Sequence, residues 1–128
     1  MTKEFKRLRD HYSMLRELLK SKLHRAVITD SNVEYEGSIE IDIELMEEVG
    51  IIEGEKVLVA SITAGGRLET YAQAGVRGSR KIIINGGAAH LIKEGERVAI
   101  MSFGYSAEPF TPQKVVLDEE NNVIIKKK

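Results

Sequence analysis

The chain has 128 residues, 19 Lys and Arg against 20 Asp and Glu, a net charge of -1, and no cysteine. That length suits one domain, large enough to bury roughly two thirds of its unfolded surface. The charge balance excludes a nucleic-acid binder acting through a general positive field, and the lack of Cys excludes a disulfide frame, a thiolate nucleophile and a Cys-based metal site.

In chain order, residues 1–13 are rich in Lys, Arg and Glu, and Phe5, Leu8, Tyr12, Leu15 and Leu19 follow a helical spacing, which predicts an exposed or loosely docked amphipathic helix from Phe5 to Leu19. No continuous apolar stretch follows these charges as in a signal peptide, and no apolar run spans a bilayer. The expectation is a soluble, cytoplasmic protein with no membrane or nucleic-acid partner. Leu23–Thr29 reads as a strand. Asp42 reads as the N-cap of a short helix, Ile43–Val49, that Gly50 closes. Val57–Thr63 and Arg67–Ala74 read as a hairpin around Ala64-Gly65-Gly66. Lys81–Ile84 is a strand, Ala88–Lys93 a helical turn or two, and Arg97–Tyr105 a strand. Pro109 and Pro112 interrupt the pattern. Val115–Leu117 and Val123–Ile125 are further strands, and Lys126-Lys127-Lys128 reads as a solvated tail.

One internal echo bears on the fold. Glu53-Gly54-Glu55-Lys56-Val57-Leu58-Val59-Ala60-Ser61-Ile62 matches Glu94-Gly95-Glu96-Arg97-Val98-Ala99-Ile100-Met101-Ser102-Phe103. Each copy follows a short helical segment and enters a strand through a Gly turn. Two copies are too few for a solenoid, and they suggest a closed barrel of two related halves, which also removes exposed edges. Glu-Gly-Glu is also a common tight entry to a strand.

The motif that carries most chemistry is Gly37-Ser38, within Tyr35-Glu36-Gly37-Ser38-Ile39-Glu40-Ile41-Asp42. Alone, a Gly-Ser pair marks a turn. Upstream stands Lys22-Leu23-His24-Arg25. Downstream stand Arg67-Leu68-Glu69-Thr70-Tyr71, Arg77-Gly78-Ser79-Arg80 and Asn85-Gly86-Gly87-Ala88-Ala89-His90. In this order and spacing the motifs resemble the pyruvoyl-dependent aspartate 1-decarboxylases. The resemblance covers residues 14–118 and is densest at these motifs. It implies a mainly β fold, a double-psi β-barrel with short helices. It divides the chain into residues 1–13, an extension ahead of the usual family start or a stretch upstream of a true start at Met14; a barrel domain, 14–118; and a C-terminal strand and basic tail, 119–128.

The resemblance further implies that the chain cuts itself between Gly37 and Ser38. Ser38 then becomes a pyruvoyl group that holds the amino acid as a Schiff base, with no pyridoxal phosphate and no metal. A serine hydroxyl is a weak nucleophile unless activated. The attacked bond must therefore be held in an unfavourable geometry, and Gly37 can adopt backbone angles closed to other residues. The oxyanion needs a donor. Thr70 and Asn85 match family positions around the bond, with Thr70 the expected helper in cleavage. The substrate implied is L-aspartate, whose two carboxylates need cations: Arg67 as a two-pronged grip and Lys22 as a point charge. Either also reads as a solvated surface charge. Tyr71 matches the family's proton donor, and it also reads as a half-buried strand tyrosine. Gly86, Gly87 and Ala88 match backbone that contacts substrate, or form an ordinary turn.

In a regular strand Arg67, Glu69 and Tyr71 share a face and Thr70 points away. One pocket using all of them needs a bulge, a twist or a second subunit, and the family places the pocket between subunits of a homotetramer. Arg77-Gly78-Ser79-Arg80 reads as structural or as part of a subunit contact. His11, His24 and His90 form no metal-ligand spacing. Two departures bear on the pocket: Ala60 stands where many members carry a large aromatic, and Gly87 stands where Ala is frequent. The function implied is decarboxylation of aspartate to β-alanine for pantothenate and coenzyme A. The alternatives are a pyruvoyl decarboxylase of another acidic amino acid and an uncleaved β-barrel binding or assembly module.

Overall fold

The structure, a computed structural model, describes Thr2, Lys3 and residues 14–127. Strand β1 runs Arg16–Val27, β2 Asp30–Asn32, β3 Ser38–Asp42, β4 Lys56–Ser61, β5 Arg67–Gly75, β6 Ile82–Asn85, β7 Arg97–Ser106, β8 Gln113–Leu117 and β9 Val123–Lys127. Helix α1 is Ile43–Val49, and a 3-10 turn covers Gly86–His90. The molecule is mainly β, as expected, with one mixed sheet in the order β2-β6-β3-β5-β4-β7-β1-β8-β9. Among the described residues no helix is long and apolar enough to cross a membrane.

The sheet curls until the end of β1 reaches β6. Beyond β1, the Ile28 N–H donates to Glu96 O at 2.9 Å and the Thr29 N–H to Ile82 O at 2.8 Å. The Ile82 N–H returns a bond to Thr29 Oγ1 at 2.9 Å. The run β6-β3-β5-β4-β7-β1 thus closes on itself, which satisfies backbone groups that an open edge would leave free. Asn121 seals the seam. Its buried carboxamide accepts from Val27 N at 2.7 Å and donates to Val27 O and Arg80 O, both at 3.0 Å. Inside the closure lie Leu23, Ile39, Ile41, Ile84, Ile100 and Leu117, each with no solvent exposure.

The internal echo is a structural repeat. Gly54 and Gly95 take φ of 86° and 90°. Their N–H groups donate to Ala72 O and Ile28 O, each at 2.8 Å. Glu55 accepts from Ile52 N at 3.1 Å, and Glu96 accepts from Lys93 N at 2.6 Å. The two strands that follow, β4 and β7, pair antiparallel, with Val59 opposite its own counterpart Ile100 and Leu58 opposite Met101 as Ala60 is opposite Ala99. That pairing is symmetric under exchange of the copies, so a local twofold passes between Val59 and Ile100.

Helix α1 forms where the sequence places it: Asp42 Oδ1 accepts from Glu44 N at 2.9 Å, and Gly50 closes the helix at φ 73°. Three expectations change. The helical spacing expected to continue to Leu19 gives way to β1 from Arg16, because Arg16–Leu19 pairs with Phe103–Ser106 of β7; its earlier part, 5–13, with His11, lies outside the described residues. Ser38–Asp42, read only as a motif, is a strand paired on both sides. Lys126 and Lys127 continue β9 against β8, with Lys126 3.0 Å from Glu48, and are not a loose tail. The Arg77–Arg80 loop has a structural role: its Gly78 and Arg80 N–H groups donate to the Asp42 carboxylate at 3.0 and 2.8 Å, and Arg77 forks onto Glu47 at 2.7 and 2.8 Å.

Candidate active site

Ser38 opens β3 and is fully buried, whereas Gly37 before it is exposed. Alternation sends Ile39 and Ile41 into the core and turns Ser38 to the other face. Two strands then bring polar groups to it. Antiparallel pairing sets Ser38 opposite Asn85 at the end of β6. Parallel pairing sets Ile39 opposite Ala72 and Glu40 opposite Gln73. The Ser38 hydroxyl donates to Gln73 Oε1 at 2.7 Å, and Asn85 Nδ2 points a donor at Ser38 Oγ from 3.5 Å. Asn85 Oδ1 is buried without a partner among the described residues. A buried acceptor left open is costly and marks a place for a donor.

After Asn85 the chain turns at Gly86, φ 70°. A Cβ there would stand 2.6 Å from both N and Cα of Gly37 and 2.9 Å from Tyr35 O. Backbone of Gly86 therefore lies directly against the amino side of Gly37, closer than a side-chain-bearing residue would allow. The strained angles expected at Gly37 are not found. Gly37 is not among the positive-φ glycines, and a Cβ on it would meet nothing within 4 Å. The steric requirement for glycine lies across the turn, at position 86.

Tyr71 lies on β5 one step from Ala72, at the point where β5 exchanges its partner β4 for β3. It is 37% exposed and shares a face with Gln73, Glu69 and Arg67. Thr70 lies on the opposite face with Leu68 and Ala72. Neither pairing of β5 contains a register shift, so no bulge reverses this alternation. Arg67 is exposed, directly opposite Ala60. Gly86, Gly87 and Ala88 form the 3-10 turn beside Ser38. Lys22 lies on β1 opposite Met101, with β7, β4 and β5 between it and β3 one way round the barrel and, across the closure, β6 the other way. One chain thus gathers Ser38, Asn85, Gly86, Gly87, Ala88 and Tyr71, with Arg67 at the start of β5 and Lys22 on β1. Beside Lys22, His24 is held below its ordinary pKa, first by burial and then by the charges of Lys22, Arg25, Lys127 and Arg97.

The sequence reading missed Gln73. Its alternation with Tyr71 was visible, but its contact with Ser38 depends on the parallel β3/β5 register, which no local pattern encodes. Among the described residues no group of three or more His, Cys, Asp or Glu is placed to hold a metal ion.

The fold and this cluster define a small, closed β protein with a buried serine hydroxyl held between two carboxamides. The chain belongs to the aspartate decarboxylase family, a family of enzymes, whose model matches residues 14–124. It is 51% identical over 114 residues to an aspartate 1-decarboxylase of Thermotoga petrophila, covering 89% of this chain and all of that one. It is 49% identical over 112 residues to that of Pseudothermotoga lettingae, covering 86% and 97%. It is 44% identical over 115 residues to that of Bacillus thuringiensis, covering 87% and 91%.

Proposed function

We propose that this chain cleaves itself between Gly37 and Ser38 and then converts L-aspartate to β-alanine and CO2, in the cytoplasm, for pantothenate and coenzyme A. Family membership supports the substrate and the reaction. The observation that carries the self-cleavage is the buried Ser38 hydroxyl between Gln73 and Asn85, with Gly86 backbone against Gly37.

In the first stage Ser38 Oγ adds to the Gly37 carbonyl carbon, and its proton passes to the departing Ser38 nitrogen. The C–N bond breaks and an ester forms. Asn85 Nδ2 is the donor at hand for the oxyanion. Thr70, the family's helper, faces away from Ser38 along β5 and takes part through the twist there or from a neighbouring subunit. Loss of the Ser38 Cα proton expels the Gly37 carboxylate, and hydrolysis of the resulting enamine releases ammonia. A short piece ending at Gly37 remains, with a longer piece whose first residue is a pyruvoyl group.

The residues present fit that group, because the Asn85 Nδ2 donor is directed at the position its carbonyl would take. The pyruvoyl carbonyl supplies a sink for the electron pair left by departing CO2. In the second stage Arg67 and Lys22 bind the carboxylates, backbone N–H groups of Gly86, Gly87 and Ala88 approach them closely, and the Tyr71 phenol protonates Cα. Family membership supports a homotetramer in which each pocket is completed by a neighbour.

Intact-mass analysis tests the reading. The wild type should give two pieces, and Ser38→Ala one folded, full-length, inactive species. An active Ser38→Ala protein refutes the mechanism. Tyr71→Phe should still be cut but should decarboxylate more slowly by about 10²-fold or more, the range removal of a general acid usually costs.

A further inference from the structure

We propose that Gln73 is a positioning residue for self-cleavage, holding the Ser38 proton away from the bond that Ser38 attacks. The inference rests on the self-cleavage reading above. Ser38 has no solvent exposure, so no bulk water can take its hydroxyl proton. A hydroxyl has one proton to give, and Ser38 gives it to Gln73 Oε1 at 2.7 Å. Asn85 Nδ2 is directed at the same oxygen. One oxygen lone pair meets the Asn85 donor and the other is left for the Gly37 carbonyl carbon. Without Gln73 the buried hydroxyl must find another acceptor: either the open Asn85 Oδ1, reached by an amide flip that takes the Asn85 donor away, or a nearby backbone carbonyl. A proton turned toward the Gly37 carbonyl would block attack. Gln73 is placed for this by the parallel register that sets it opposite Glu40, two residues after Ser38. The amide does not become the base; it fixes where the proton points, and the proton still leaves with the Ser38 nitrogen.

The test is a time course of cleavage, followed by intact mass on freshly synthesised chain, for the wild type, Gln73→Met and Gln73→Glu. Losing one buried hydrogen bond is expected to slow Gln73→Met about tenfold. Gln73→Glu restores an acceptor, and once ionised it binds the proton more strongly than an amide. Its rate should climb about tenfold above the wild type as pH rises through the titration of the introduced carboxylate, while the wild type shows no such step. That titration faces Glu40 across the register, Glu53 at the Ala74 N–H, Tyr71 on the same face and Lys56 beyond it; the two acids move it up and the lysine moves it down. A merely structural glutamine would leave both variants slow with the wild-type pH profile, and that result overturns the inference. So does wild-type speed in Gln73→Met. A wild-type chain that stays whole refutes the self-cleavage reading and takes this inference with it; a wild type that cuts while either variant result fails refutes the inference alone.

Discussion

A methyl group on Gly86 would overlap the backbone of Gly37, 2.6 Å from its N and Cα, on a residue already at φ 70°. Neither Gly37 nor the Tyr35 carbonyl is the end of a flexible side chain, so the whole 35–37 segment would have to move. Left-handed geometry alone costs a non-glycine residue about 1–2 kcal/mol, and the overlap adds to it. In the uncut Ser38→Ala background, Gly86→Ala should lose about 3 kcal/mol or more in urea unfolding. Gly37→Ala should stay within about 0.5 kcal/mol of its parent, since its methyl meets open space. Equal losses at both positions would show that the crowding has been put on the wrong residue. The Asn85-Gly86-Gly87-Ala88 motif was legible in the sequence, but which of its glycines is sterically required was not. That depends on Gly37, nearly fifty positions earlier, lying against it.

Helix α1 illustrates what an element owes to its cap. Its N-cap Asp42 and its closing Gly50 are local signals, and both were read from the sequence. The same Asp42 carboxylate, fully buried, also takes the N–H groups of Gly78 and Arg80. The cap thereby ties the start of the helix to the loop between β5 and β6. Asp42→Ala removes a cap worth about 1 kcal/mol and takes the acceptor from two further part-buried N–H groups, each bond worth about 0.5–1.5 kcal/mol, so the total loss should reach about 2–4 kcal/mol. Asp42→Asn keeps one acceptor oxygen and should lose about half as much. Urea unfolding distinguishes these from a simple cap, for which the alanine variant would lose only about 1 kcal/mol. The β4/β5 hairpin around Ala64-Gly65-Gly66 was legible for the same local reason. Strand β3 was overlooked even though its alternation is regular, because both its partners are distant in sequence and one of them is parallel.

For the whole molecule, closure of the barrel brings His24 among fixed cations and away from water. The folded chain therefore takes up a proton at His24 only below the value of 6.5 at which the unfolded chain does. In the interval under 6.5 the unfolded state binds more protons, so stability falls as pH drops through it and levels off below the folded pKa. His24→Gln should flatten this part of the profile, measured as melting temperature from about pH 7.5 to 5; an unchanged slope would assign it to other groups. The sequence by itself determined the caps, the hairpin, the repeated Gly turns and the motif that resembles the decarboxylases, because each is written in residues a few positions apart. Only the tertiary structure decided that Gln73 takes the Ser38 proton, that Gly86 and not Gly37 is crowded, and that Asn121 seals the barrel. These contacts follow from strand registers and from burial, which the whole chain sets together and no short segment can specify.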